Sequence, residues 1–346
     1  MAYSVLSPYL VPPNLQKTKK VNLGDGFILA RVKQHLGAEG CQAVFSTRAP
    51  LSTEDIHAIN QTNALIIAGA NQLNDYYTIV PGGTLDLFKQ ITVPIIPFGV
   101  GVRGVATDKS KMSEETKAIL REMHTRIPQS SWRCFRTVAY LERELPELAG
   151  KFVMTGCPVI YDEPLLSGKP FTTTPNKIAI TITERGDWWE REKTTVDFVV
   201  KRFPEAKLFL VLHQDYSEES LTEKISRFFG QTQHTAPAFY RYAESLGITV
   251  VKPPDADACM NFYEDCDLHI GSRLHAHVYC LSRAKRSFLV PVDERSAGFA
   301  DYLKFPLLDY RDIERDLRYD FEVYRSNARI HFETMQRFIE KLKPTL

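Results

Sequence analysis

The 346-residue sequence has no apolar run approaching the roughly 18 residues that cross a bilayer, so no membrane-spanning helix is expected. Paired cysteines are also missing. Cys41, Cys134, Cys157, Cys259, Cys266 and Cys280 lie far apart with no C-x-x-C spacing, which argues against a zinc ribbon or redox dithiol and for buried free thiols. No other metal motif with adequate ligand spacing is present, so metal-independent chemistry is expected. An excess of one charge is absent too. Forty-three Lys and Arg stand against forty-two Asp and Glu, a net +1 that attracts neither nucleic acid nor an anionic membrane, so any anion site must be local. Residues 1–8 lack the basic and apolar stretches of a secretory signal, which points to the cytoplasm.

The composition is that of an ordinary globular protein, 44% apolar and 25% charged. The length exceeds what one core usually serves, which implies two domains. Short apolar runs alternate with longer amphipathic ones, the pattern of β-α-β units whose parallel sheets are covered on both faces. A first series predicts strands at 41–45, 64–68, 93–98, 132–135 and 152–155. Its helices fall at 26–36, 53–60, 114–124 and 138–145, with Ser52 and Ser113 as N-caps. A Pro-, Gly- and Thr-rich stretch at 162–176 reads as a linker. A second series predicts strands at 177–182, 208–212, 248–251, 268–270 and 288–292, followed by a charged helical stretch at 313–342. The expected architecture is α/β: two Rossmann-like parallel-sheet domains, residues 1–165 and 176–310, facing a cleft, with residues 311–346 packing across them. Ligands of such sheets bind beyond the carboxyl ends of the strands.

The most informative stretch is Asp267-Leu-His-Ile-Gly-Ser-Arg-Leu-His-Ala-His-Val-Tyr-Cys-Leu281, which reads as strand, turn and amphipathic helix with Leu274, Val278 and Leu281 on one stripe. With Ser272 as N-cap, Arg273 and His275 fall in the first turn, where unpaired N–H groups and the helix dipole favour an anion. The planar fork of Arg273 suits carboxylate or phosphate, and His275 suits general acid work near neutral pH, its pKa raised by a neighbouring dianion. The alternative is that Arg273 caps carbonyls and His275 is a satisfied helix histidine. His277 and His269 read as packing and core.

These residues resemble the polysaccharide pyruvyl transferases. The resemblance rests on Gly271-Ser272-Arg273-Leu274-His275-Ala276, then Phe288-Leu-Val-Pro-Val-Asp-Glu-Arg-Ser-Ala-Gly-Phe299. In the same order come Asn22-Leu-Gly-Asp25, Leu65-Ile-Ile-Ala-Gly-Ala70, Phe98-Gly-Val-Gly-Val-Arg103 and the Arg136 that follows Trp132-Arg-Cys-Phe, across about residues 20–305. Ala70 replaces a glycine common in the family. The resemblance implies a fold like that of GT-B glycosyltransferases and transfer of pyruvate from phosphoenolpyruvate to a sugar diol, forming a cyclic ketal on a cell-surface or exopolysaccharide glycan. Phosphoenolpyruvate would be a co-substrate, with no cofactor. Arg273, Leu274 and His275 inherit the family's donor-binding role, and a further donor-binding arginine falls at Arg185.

On this reading Arg273 and Arg185 hold the donor's carboxylate and phosphate while His275 protonates its methylene carbon. Asn22, Gly24 and Asp25 open the first helix beneath the cleft, as ligand contacts or as a turn and cap. Arg103 is a substrate contact or a solvated arginine. Arg295 adds positive charge or is solvated, and Asp293 or Glu294 could accept the acceptor's proton. Trp188 and Trp189 stack on sugar or pack a helix. A nucleotide-sugar-dependent GT-B glycosyltransferase and a non-catalytic anion- or sugar-binding module are the competing readings.

Overall fold

The computed structural model describes residues 2–16, 20–104, 110–183, 188–214 and 235–344. Its strands are β1 (Tyr3–Ser7), β2 (Cys41–Ser46), β3 (Ala64–Ala68), β4 (Asn71–Leu73), β5 (Ile95–Phe98), β6 (Gly101–Val102), β7 (Ser130–Trp132), β8 (Phe152–Met154), β9 (Lys177–Thr181), β10 (Lys207–Val211), β11 (Thr249–Val251), β12 (Leu268–Gly271) and β13 (Arg286–Leu289). The helices are α1 (Leu23–Leu36), α2 (Thr53–Asn60), α3 (Leu85–Lys89), α4 (Glu114–Arg126), α5 (Phe135–Glu144), α6 (Glu163–Leu166), α7 (Trp189–Arg202), α8 (Ala236–Ser245), α9 (Ala256–Glu264), α10 (Leu274–Ser282), α11 (Glu294–Leu303), α12 (Ile313–Asp316) and α13 (Phe321–Leu342).

Two parallel sheets result. The first has the order β2-β1-β3-β5 and the second β11-β10-β9-β12-β13. Helices cover both faces, so central strands must be apolar throughout, and all five residues of β3, Ala-Leu-Ile-Ile-Ala, are buried. Short parallel pairs β4-β6 and β7-β8 extend the first half, with Val100 bridging to Trp132. Ser52 closes a capping box with Asp55, and Ser113 accepts from the Thr116 N–H, so both predicted caps are formed.

No strand is expected from the sequence at β1, yet it is central, paired to both β2 and β3. Two buried serines, Ser4 and Ser7, interrupt its apolar signal. The strand expected at 132–135 ends at Trp132 instead, because Cys134 is already the extended N-cap of α5 and Phe135 begins that helix. The C-terminal stretch is broken by a second N-cap, Asp320, whose side chain accepts from the Glu322 N–H. No helix among the described residues is long and apolar enough to cross a membrane.

Two helices tie the halves together. Buried Phe27 of α1 packs against His213, Tyr263 and Tyr279 of the second half, with ring centroids 5.5, 6.2 and 5.2 Å away. The Leu23 N–H donates to the His213 carbonyl at 3.0 Å, so the start of α1 is fixed at the end of β10. Helix α13 returns to the first half, where Phe338 packs on Phe98 and Phe332 on Tyr161. Arg325 of α13 donates to the Leu165 and Lys169 carbonyls at 3.1 and 2.6 Å. Burying a phenylalanine such as Phe338 contributes about 1.5–3 kcal/mol.

Candidate active site between the two sheets

The site begins where β12 ends. The Ser272 N–H donates to the Thr181 carbonyl at 2.9 Å and the Arg273 N–H to Thr181 Oγ1 at 3.1 Å, which pins the turn to β9. Ser272 Oγ lies 2.9 and 3.0 Å from the two oxygens of Glu192, a buried carboxylate that also accepts from Arg191 Nη2 at 2.8 Å and from the Thr183 N–H at 3.2 Å. Burial raises the Glu192 carboxyl above its ordinary range, opposed by Arg191 and Ser272.

Ser272 is therefore not the N-cap that the sequence suggested. Its hydroxyl is engaged by Glu192, and Arg273 takes the cap position with φ −87° and ψ 103° and no side-chain cap bond. Helix α10 is also buried on every side from Leu274 to Ser282, rather than along one stripe. His277 Nδ1 and His269 Nδ1 both meet Ser287 Oγ, at 2.9 and 2.7 Å, as packed core residues.

Arg273 is half-buried, and its Nε donates to the Ile182 carbonyl at 2.9 Å. Nη2 lies 3.4 Å from both the Thr183 carbonyl and Gln214 Oε1. Burial and nearby Arg295 pull its pKa down to about 9, which still leaves it charged at neutral pH. His275, 6% exposed, has a buried Nε2 without a hydrogen-bond partner. Burial, then Arg133, Arg295, His213 and Arg273, hold its imidazole well below the ordinary range, so the protein alone favours the neutral ring.

Asn22, Gly24, Ser272, Arg273, Leu274, His275 and Arg295 border one cleft of about 50 Å³, with Thr183, His213 and Val292. The start of α1, the turn into α10 and the start of α11 thus meet there. Asn22 caps α1, its side chain accepting from the Gly24 N–H at 3.3 Å. Asp25 lies behind the cleft, paired with Arg48 at 3.4 Å; burial raises its carboxyl against the pull of Arg48 and Arg295. Arg295 pairs with Asp293 at 2.7 Å, and Asp293 also caps α11. Burial would raise the Asp293 carboxyl, but its bonds to Arg295 outweigh that and hold it below the usual range, which leaves it a weak base.

Arg103 is exposed and borders neither this cleft nor the larger cavity beside it. Arg185 lies outside the described residues. Trp189 packs edge-on against Phe239 and Trp188 lies under Arg191, so both rings are committed to packing. Arg136 is exposed and paired with Asp301 at 2.8 Å. A further residue, not among those expected from the sequence, is Arg133, at the carboxyl end of β7 and only 2% exposed. The strand expected at 132–135 hides it, since Arg133 follows a strand only because β7 ends at Trp132.

A model of the polysaccharide pyruvyl transferase family matches residues 22–294. The chain belongs to that family. The match runs from the N-cap of α1 to the first residue of α11, so it takes in every residue that borders the cleft except Arg295. No curated protein matches. Among solved structures, the UDP-GlcNAc 2-epimerase of Methanocaldococcus jannaschii is similar with TM-score 0.53 at 10% identity, over 98% of this chain and 100% of that one. The S. aureus MnaA–UDP co-structure is similar with TM-score 0.50 at 12% identity, over 99% and 98%. These likenesses show the fold, a GT-B-like pair of parallel sheets, and the family identifies the chain as a transferase.

Proposed function

We propose that this family member transfers pyruvate from phosphoenolpyruvate to a sugar diol in the cytoplasm, forming a ketal on a cell-surface or exopolysaccharide glycan. Residues 176–310 form the donor side, residues 1–165 the acceptor side, and residues 311–346 fasten the two. The observation that carries this reading is the convergence of Arg273, Arg295 and His275 on one cleft of about 50 Å³. That volume holds a few water-sized groups, which suits a small dianion better than a nucleotide sugar.

Arg273 and Arg295, with Arg185, hold the carboxylate and phosphate of the donor. The same positive surroundings that keep His275 neutral attract the anion, and the anion's charge then raises the imidazole pKa so that it can carry a proton. His275 gives that proton to the methylene carbon as one sugar hydroxyl adds to the neighbouring carbon. Inorganic phosphate leaves with the electron pair of the broken C–O bond, and the second hydroxyl closes the ketal. Each hydroxyl loses one proton, one replacing that of His275 and one leaving with phosphate. Positioning and charge compensation supply most of the acceleration.

The test is phosphate release from phosphoenolpyruvate with galactose, glucose and N-acetylmannosamine derivatives, for wild type, His275→Ala and Arg273→Ala. Turnover by wild type and its loss in both variants is the expected result. Unchanged turnover in both variants overturns the site assignment. Thermal stabilisation by a nucleotide sugar and not by phosphoenolpyruvate overturns the choice of donor.

A further inference from the structure

A second cavity of about 330 Å³ adjoins the first and shares Arg295 with it. It lies between α5 of the first half and α11 of the second, and is large enough for one or two sugar rings. Among the described residues its walls carry four arginines, Arg133, Arg136, Arg143 and Arg295, against one carboxylate, Glu294. Three of the arginines have acidic partners: Asp301 for Arg136, Glu144 for Arg143 and Asp293 for Arg295.

Arg133 differs. It is 2% exposed, its Nη1 is buried without a hydrogen-bond partner, and no ion pair with it is formed among the described residues. Asp25 and Asp293 feel its charge only as their weakest influence. Its position is nonetheless prepared. A Cβ at Gly101 would stand 2.0 Å from Arg133 Nη2, so only glycine leaves room for the guanidinium there, and the Phe299 ring lies 5.8 Å from Cζ on another side. A buried guanidinium with an unmet donor is costly unless an anion completes it.

We propose that this cavity takes the acceptor, and that the acceptor is an anionic sugar whose carboxylate or phosphate is bound by Arg133. This rests on the pyruvyl-transfer reading for the word acceptor, but the subsite itself does not need it. Arg295, common to both cavities, sets the anionic donor and the anionic acceptor side by side. Of the four arginines, Arg133 is the one without a carboxylate partner among the described residues, so its charge is the one left for an anionic acceptor.

Titration calorimetry on the full chain tests the subsite with glucose, glucuronate and glucose 1-phosphate, and separately with phosphoenolpyruvate. Wild type is expected to bind one or both anionic sugars at least tenfold more tightly than glucose, the stronger arm identifying the anion as carboxylate or phosphate. Arg133→Gln is expected to remove that preference. Ala139→Trp changes an exposed residue on the cavity wall and cannot disturb the core; it is expected to block all three sugars while phosphoenolpyruvate still binds. Equal affinity for glucose and both anionic sugars in wild type overturns the proposal. So does undiminished sugar binding in Ala139→Trp, or an Arg133→Gln protein that loses phosphoenolpyruvate while keeping the anionic sugar. Anionic-sugar binding that depends on Arg133, in a protein indifferent to phosphoenolpyruvate, upholds the subsite and overturns the donor assignment alone.

Discussion

Gly24 and His275 face each other across the cleft so closely that a Cβ on Gly24 would stand 2.7 Å from His275 Nδ1 and 3.0 Å from its Cβ. The first turn of α1 therefore sets the position of the imidazole from the opposite half of the molecule. Gly24→Ala is expected to displace His275 and lower the proposed pyruvyl transfer about 100-fold, the scale of an ångström-sized misplacement of a reacting group. Phosphate release checks the rate, and an unfolding curve close to that of wild type shows that the loss is local.

Arg273 holds its fork by donating to backbone carbonyls of the β9 loop, which aims the guanidinium as well as supplying charge. Arg273→Lys keeps the charge and loses the planar geometry. The phosphoenolpyruvate concentration that half-stabilises the protein is expected to rise about 10- to 100-fold, the value of one or two charge-assisted hydrogen bonds. A thermal-shift titration measures it.

Glu192 is 3% exposed and connects Arg191, Ser272 and the Thr183 N–H beneath the turn. Glu192→Ala leaves a buried guanidinium without its carboxylate and is expected to cost about 3–5 kcal/mol in urea unfolding. Ser272→Ala removes only the hydroxyl and is expected to cost about 1–2 kcal/mol by the same measurement.

Burial, with a contribution from Lys151, lowers His124 to about 4; its Nε2 meets Ser130 Oγ at 3.0 Å. The unfolded chain binds this proton near pH 6.5 and the folded chain does not. The contribution of His124 is therefore complete above pH 6.5 and is lost as pH falls from 6.5 towards 4, at about 1.4 kcal/mol per pH unit. His124→Asn is expected to unfold with a flatter pH dependence than wild type between pH 6.5 and 5, by up to about 2 kcal/mol. Parallel urea midpoints for the two proteins over that range would refute this.

Much of the architecture is legible in the sequence because parallel strands covered on both faces must be continuously apolar, as β3 is, and because caps such as Ser52 with Asp55 act over three residues. The Arg273-Leu274-His275 segment is legible for the same local reason, lying where a strand gives way to a helix. β1 is not, since Ser4 and Ser7 look polar in a sequence and are buried only once the sheet is assembled.

Tertiary structure alone decides which distant residues meet. The sequence determines that residues 271–275 form a turn into a helix; it does not determine that Ser272 turns to Glu192 instead of capping, since that bond spans 80 positions. Nor does it determine that Gly24 touches His275, or that Arg133 stands buried beside Gly101 with a donor unmet. Local order follows from short-range propensity and capping, whereas charge, burial and reach within a cleft depend on how separate strands and helices are stacked.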